Sequence, residues 1–381
     1  MSFWHELPAL SRKAAIVGVL ALLACLVGAV LEPATFFQSW LVTWFFLLGI
    51  ALAGMMDVMI HELTGGEWGW VVRPPLEAAM LTLPLLAVLA IPLAFGLPEL
   101  FPWARADAVA QSPMLEARHW YLNPASFVVR NAVFLIVWSA FALALRRRLE
   151  RRSEHDTQVG RRIAVAGLLV YLATVTFAAY DWVASLVPEW ASTAVGLRLG
   201  TAQFVAAFAF AVSFTVFFPR AAGDNTPITP RDCGDLGNLM LTFSMMWAYI
   251  AFTQYLIVWG EDLPQETRWF WARINTGWHW IGLAVAVLVF AVPTFAMLFR
   301  SVKRNARTLG WICALALAGA WLDSMWLVLP SLRARGFELH WLDIAALLAE
   351  GGLWLATVVA IAERLPRSRP APTTQAVPAH G

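Results

Sequence analysis

Ten apolar runs, each about 18 residues or longer, constrain what this chain can fold into. A helix of that length covers the roughly 30 Å hydrocarbon core of a bilayer. The runs fall at about 14–31, 40–60, 75–96, 125–145, 163–187, 194–218, 235–259, 274–299, 308–329 and 341–362. In lipid every backbone N–H and C=O needs a partner within the protein, which a helix supplies for itself. Pro84, Pro92 and Pro293 lie inside runs and predict kinks. The expectation is an all-α polytopic membrane protein, one membrane domain over 1–365. The tail at 366–381, rich in Pro, Ala and Thr, is expected to be disordered.

Composition agrees. Apolar residues make up 60% and charged residues 14%, where soluble domains run near one half and one quarter. Mean hydropathy is +0.65. A net charge of +2 gives no footprint for nucleic acid. The three cysteines, Cys25, Cys233 and Cys313, are far apart and form no C-x-x-C pair. That argues against a disulfide framework, an iron–sulfur cluster on this chain and c-type haem attachment. Leu22-Leu23-Ala24-Cys25 follows Arg12-Lys13 and faintly resembles a lipoprotein signal. The residues after Cys25 stay apolar to Leu31, so Cys25 reads as part of the first span.

The connections give an orientation. With the N-terminus in the cytoplasm, the cytoplasmic segments hold 19 Lys and Arg and the outer connections 6, with Arg130 and Arg198 inside spans. This is a strong positive-inside bias. It places both termini and the arginine-rich 146–162 connection in the cytoplasm. Trp40, Trp44, Trp190, Trp259, Trp269, Trp271 and Trp341 lie near span ends and read as an interfacial belt.

An internal duplication shows in two places. Leu76 to Thr82 reads LEAAMLT and Leu236 to Thr242 reads LGNLMLT. Asp181 precedes Pro188 by seven residues, as Asp323 precedes Pro330. The matching segments sit four spans apart, so the copies share one orientation. Two parallel four-helix units are predicted, over about 40–187 and 194–329, flanked by the first and last spans.

Ionisable groups inside a membrane are costly and generally face a bundle interior or a cavity. Here they form two sets. Toward the cytoplasmic side stand Asp57, His61, Glu62, Glu77 and Asp235; toward the outer side stand Arg130, Asp181, Arg198, Gln254, His279, Asp323 and Asp343. Glu350 lies nearer mid-membrane. Asp57 and His61 are four apart and share a helix face. Histidine titrates near neutral pH, so Asp57, His61, Glu77 and Asp235 are candidates for a proton relay. Each set also has a plainer reading. Asp57 with His61 reads equally as a structural pair, and Arg130 with Asp181 as an ion pair fixing two helices. Glu62, Asp235 and Arg198 read as interfacial. Asp181 and Asp323 stand out because they recur in both units. The aromatic neighbours Tyr180, Trp182, Trp321 and Trp326 read as belt residues or as an apolar pocket for a flat ring. His279 with His340 is the one histidine pairing at a common depth, a weak basis for b-type haem, so no haem is expected.

Several strings together carry a family resemblance: His61-Glu62-Leu63-Thr64-Gly65-Gly66-Glu67-Trp68-Gly69, Asp181-Trp182-Val183-Ala184-Ser185-Leu186-Val187-Pro188, Asp235-Leu236-Gly237-Asn238-Leu239, Gln254-Tyr255-Leu256-Ile257-Val258-Trp259 and Leu339-His340-Trp341-Leu342-Asp343. Across nearly its whole length the chain resembles the NrfD-like membrane subunits of alternative complex III, a bacterial quinol:cytochrome c oxidoreductase, and among them the smaller, second quinone-binding subunit. It departs from the family pattern at Ala184, Val187 and Glu189, where Met, Glu and His are usual. Trp321 and Ala320 stand where an arginine usually precedes Asp323, and Glu67 replaces a basic residue.

The resemblance implies a multi-pass protein of the bacterial cytoplasmic membrane with no redox centre of its own. Its implied partners are membrane lipid, a larger sister NrfD-like subunit that is the better-supported quinol site, and extrinsic iron–sulfur and multihaem cytochrome c subunits. Arg130, Asp181, Gln254, His279, Asp323 and Asp343 then read as quinone-proximal, and the inner set as a proton half-channel. A secondary transporter with parallel repeats, and a structural anchor for extrinsic cytochromes, are the alternatives. A neighbouring gene for an iron–sulfur subunit and a pentahaem cytochrome would favour the complex subunit or the anchor, and a lone gene the transporter.

Overall fold

A computed structural model describes residues 7–151, 156–190, 192–218, 228–333 and 336–365. The tail at 366–381 lies outside the described residues. Among the described residues every regular element is helical. Ten helices are long and apolar enough to cross a membrane: span 1 (Ala9–Leu31), span 2 (Pro33–Thr64), span 3 (Glu67–Phe95), span 4 (Pro124–Arg148), span 5 (Gln158–Leu186), span 6 (Val195–Phe217), span 7 (Pro230–Glu261), span 8 (Trp278–Met297), span 9 (Ala306–Leu332) and span 10 (Trp341–Ala362). The chain is a helical, multi-pass integral membrane protein.

Spans 2, 3, 4 and 5 pack side by side into one closed ring, and spans 6, 7, 8 and 9 into another. The rings meet where span 2 lies against spans 6 and 9, and span 5 against span 6. Span 2 is therefore buried on every side through its centre. Spans 1 and 10 pack on each other, with span 10 against spans 2 and 3. A Cβ on Gly352 would come within 2.8 Å of the Ala14 carbonyl and of Gly18 Cα. Glycine at both positions lets these two backbones touch. Large apolar side chains such as Leu20, Ile136, Leu169, Phe252 and Phe295 cover the lipid-facing surface. Cys25 is wholly buried within span 1.

Prolines act where the sequence placed them. Span 3 is interrupted at Leu81–Thr82 and again at Ala90, each ahead of a proline that lacks an N–H. Span 2 helps to satisfy the loosened backbone: Trp44 Nε1 donates to the Leu86 carbonyl at 2.8 Å and Trp40 Nε1 to that of Leu89 at 2.9 Å. From span 10, Trp354 Nε1 donates to Thr82 Oγ1 at 2.8 Å. Span 8 carries a π-helical turn over Ala286–Ala291, just before Pro293. The belt reading of tryptophan needs correction. Trp259, Trp271 and Trp341 are exposed, but Trp40, Trp44, Trp190 and Trp269 are buried, and the first two of these serve the breaks in span 3.

Candidate functional site

The face carrying the connections 31–33, 95–124, 186–195, 261–278 and 332–341, opposite the arginine-rich one, holds two buried ion pairs beside one aromatic cavity. Asp181, fully buried, lies near the end of span 5. Arg130 of span 4 grips it through Nη2–Oδ1 at 2.8 Å and Nε–Oδ2 at 3.1 Å. Asn131 Nδ2 donates to Oδ2 at 3.1 Å, while Asn131 Oδ1 accepts from Trp182 Nε1 at 2.6 Å. The guanidinium also lies 3.8 Å from the centroid of the Tyr121 ring. A paired, multiply hydrogen-bonded carboxylate is the form in which such a group survives burial.

The second pair corrects the interfacial reading of Arg198. Its guanidinium is buried in span 6 and bonds Asp323 of span 9 in the two-pronged geometry, at 2.6 and 3.0 Å. Trp247 of span 7 donates to Asp323 Oδ2 at 3.2 Å and lies under the guanidinium at 4.7 Å. Both recurring aspartates thus meet an arginine, from span 4 in one ring and span 6 in the other.

Between the two pairs opens a cavity of about 360 Å³, within the size range of small-ligand sites. Its walls include Trp120, Tyr121, Phe177, Tyr180 and Trp190, with Arg118 and Ser185 as polar groups. Ala184 lines it as well, where a longer side chain would reach into the space. Tyr121 forms the wall on the Asp181 side. Its buried hydroxyl has no hydrogen-bond partner of good geometry, and burial, then the Asp181 charge, pushes its pKa up to about 12. Trp190 forms the wall on the other side. Behind it, a small void lies beside Arg198 and Gln254. Trp190 stacks on Trp269 at 4.6 Å, which also meets the Arg273 guanidinium at 3.3 Å. Arg273 lies in the connecting helix Pro264–Ile274 and donates to the carbonyls of Trp269, Trp326 and Leu327. Complete burial presses its pKa down.

The remaining outer candidates divide. Gln254 is buried and donates to Ser192 Oγ at 3.2 Å, next to Arg198. His279 is a correction: it is exposed and bonds the Thr276 carbonyl at 2.5 Å, away from the pairs. Asp343 belongs to another cluster, where Arg333 holds it at 2.8 Å through both oxygens and Ser39 Oγ donates at 2.6 Å. His340 pairs with Glu32 at 3.2 Å. Trp321 is half-buried and takes no part in either aspartate's hydrogen bonds.

On the arginine-rich face, the organising residue is one that sequence reasoning counted only as a loop charge. Arg73 is buried, donates from Nε to Glu77 at 2.5 Å, pairs with Glu62 and bonds His61 Nδ1 at 3.1 Å. His61 Nε2 meets the Gly66 carbonyl at 3.0 Å. With a carbonyl on one nitrogen and a guanidinium on the other, His61 is a neutral, fixed imidazole. Asp57 lies one turn deeper, with Oδ2 buried and unpartnered. The bonded Asp57–His61 pair read from their spacing does not form. Asp235, half-buried on span 7, is not in the Arg73 cluster. The spacing of Arg73 and Glu77, four apart, was the available signal for this cluster. Among the described residues, no three His, Cys, Asp or Glu side chains are placed to hold a metal ion. No protein-family model matches the chain, and no curated protein matches it.

Proposed function

We propose that this chain is a membrane subunit of a quinol-oxidising electron-transfer complex of the alternative complex III type, with the aromatic cavity as its quinol-facing site. One observation carries the reading: both recurring Arg–Asp pairs lie behind walls of the same cavity, Asp181 behind Tyr121 and Arg198–Asp323 behind Trp190. The sequence strings around Asp181, Asp235 and Gln254 support the same family. The cavity fits a flat ring, because aromatic walls give stacking surface while Ser185 and Arg118 supply polar contacts at its edge. Quinol oxidation releases two protons and two electrons. The electrons go to extrinsic haem and iron–sulfur partners. Tyr121 stands between the cavity and Asp181, the nearest group able to orient a leaving proton. Arg118 holds the Pro188 carbonyl and so fixes the cavity's lip.

The test uses the full chain in detergent with decylubiquinol and a menaquinol analogue as probes. Tryptophan quenching should saturate for one of them, and Ala184→Trp, which fills the cavity, should abolish it. The chain isolated gently from its own membrane should carry partner subunits with covalently bound haem. Absence of quinol binding in the wild type, or binding unchanged in Ala184→Trp, refutes the site; isolation without haem-bearing partners refutes the complex.

A further inference from the structure

The buried carboxyl groups sort into two kinds. Asp181, Asp323, Asp343, Glu62 and Glu77 each bind an arginine. Glu350, at the middle of span 10, does not. It is wholly buried, and neither of its oxygens has a hydrogen-bond partner among the described residues. An ionised carboxylate in that state carries an uncompensated desolvation cost, which a bound proton removes. The helices around span 10 offer no counter-charge at its level. Cys25 of span 1 is near enough to feel Glu350, while Arg73 and Glu77 of span 3, and His61 of span 2, are engaged with one another at the arginine-rich end. Asp57 sits one turn above them.

A polar route approaches Glu350 from the other face. A cavity of about 550 Å³ opens there, lined by Glu32, Thr35, Gln38, Arg333, Glu338 and His340. At its floor Arg333 holds Asp343, and Ser39 Oγ donates to Asp343 at 2.6 Å. Spans 2 and 10 both run inward from this point. Glu350 follows Asp343 by seven residues on the same face, about 10 Å deeper, and Thr43 follows Ser39 by four, about 6 Å deeper. Thr43 Oγ1 is buried and has no partner. It therefore lies at a depth between the cluster and Glu350 with its hydrogen-bonding capacity unused.

We propose that Glu350 is a proton-binding site, a carboxylic acid at mid-membrane that loads and releases one H⁺ through the opposite face by way of the Thr43 and Ser39 hydroxyls, beside the Arg333–Asp343 pair. The step breaks and remakes one O–H bond; the proton goes to water in the cavity and returns from it. The site stands whether or not a quinol occupies the aromatic cavity.

Infrared spectroscopy of the full chain in nanodiscs tests this. Protonated carboxyls give a C=O band that ionised ones lack. Glu350→Gln, which copies the neutral acid in shape, should remove one such band at neutral pH while leaving the thermal midpoint in place. Asp323→Asn, which strands Arg198, should lower the midpoint. In D₂O the Glu350 band should downshift as its proton exchanges, about tenfold more slowly in Thr43→Val, the rate equivalent of one lost hydrogen bond. Thr357→Val, whose hydroxyl bonds its own helix at Leu353, should exchange as the wild type does. An unchanged carboxyl band in Glu350→Gln, or destabilisation matching that of Asp323→Asn, overturns the proton site. Wild-type exchange in Thr43→Val overturns the route.

Discussion

Substituting Asn for Asp323 removes the charge that balances Arg198 while keeping nearly the same shape. Arg198 is 4% exposed and Asp323 2%, so neither charge has water to fall back on. The pair makes two hydrogen bonds, at 2.6 and 3.0 Å. Breaking one side of a buried pair costs about 3–5 kcal/mol, because the orphaned ion stays buried. The Trp247 ring stays under the guanidinium in the variant and softens its isolation, which points to the low end of that range. A loss of about 3 kcal/mol follows, more than a hundredfold in the folding equilibrium at 1.36 kcal/mol per decade. The Trp247 hydrogen bond alone is a smaller term, about 0.6 kcal/mol in a membrane protein. Trp247→Phe should therefore be mild where Asp323→Asn is severe. The double variant Arg198→Met/Asp323→Leu leaves no stranded charge and should recover most of the loss. The assay is reversible unfolding of the full chain in mixed micelles. A cost for Asp323→Asn under about 1 kcal/mol, or a double variant as unstable as the two singles combined, would refute the claim that charge balance holds spans 6 and 9 together.

Two further outcomes follow from geometry outside that pair. Tyr121 ionises near pH 12 in the fold against about 10 for an ordinary tyrosine. The fold thus favours the protonated phenol, so this contribution is whole below about pH 10 and is lost as pH rises toward 12; alkaline absorbance titration should lose a tyrosine step near pH 12 in Tyr121→Phe, and an unchanged titration refutes it. Gly352→Ala should cost about 1–3 kcal/mol by forcing spans 1 and 10 apart. Gly351→Ala, whose Cβ would meet only Leu347 Cδ1 at 3.9 Å, should be neutral in the same unfolding assay, and equal losses from both would show that close approach is not the cause.

The spans were legible because lipid imposes a length and an apolar composition that few other contexts require. Asp181 with Arg130 was legible for a related reason: a charge deep in an apolar run needs a partner, and the two lie on neighbouring helices. Arg198 was misread because its place near a span end looks interfacial. Only the packing of span 6 between spans 2, 5 and 9 removes it from water. Arg73 was hidden by the same ambiguity, since span 3 begins at Glu67, earlier than its apolar run. His279 looked buried because the run at about 274–299 includes it, yet it sits on the second residue of span 8 and points outward. Of the cavity only Tyr180 was legible, through the aromatic neighbours of Asp181. Its walls come from the 95–124 connection and from the end of span 5, which chain distance keeps apart.

The two aspartates show what the fold requires at that depth. Asp181 and Asp323 each stand seven residues before a proline and lie in the last span of their ring, but their arginines come from different members of each ring. If the arginine's place mattered for its own sake, the rings would supply it from corresponding helices. What they share is a neutralised carboxylate at the end of the fifth and ninth spans, reached by whichever neighbour can extend a guanidinium. Such a carboxylate is poorly suited to carry protons, since each protonation must first break a two-pronged pair and strand an arginine in the membrane. The same reasoning applies to Asp343 and to Glu77, and it removes His61, both of whose nitrogens are already engaged. Proton traffic in this chain therefore falls to the carboxyls that no arginine holds, Asp57 and Glu350. They lie on spans 2 and 10, which pack together, and neither joins the ion pairs that fix the architecture.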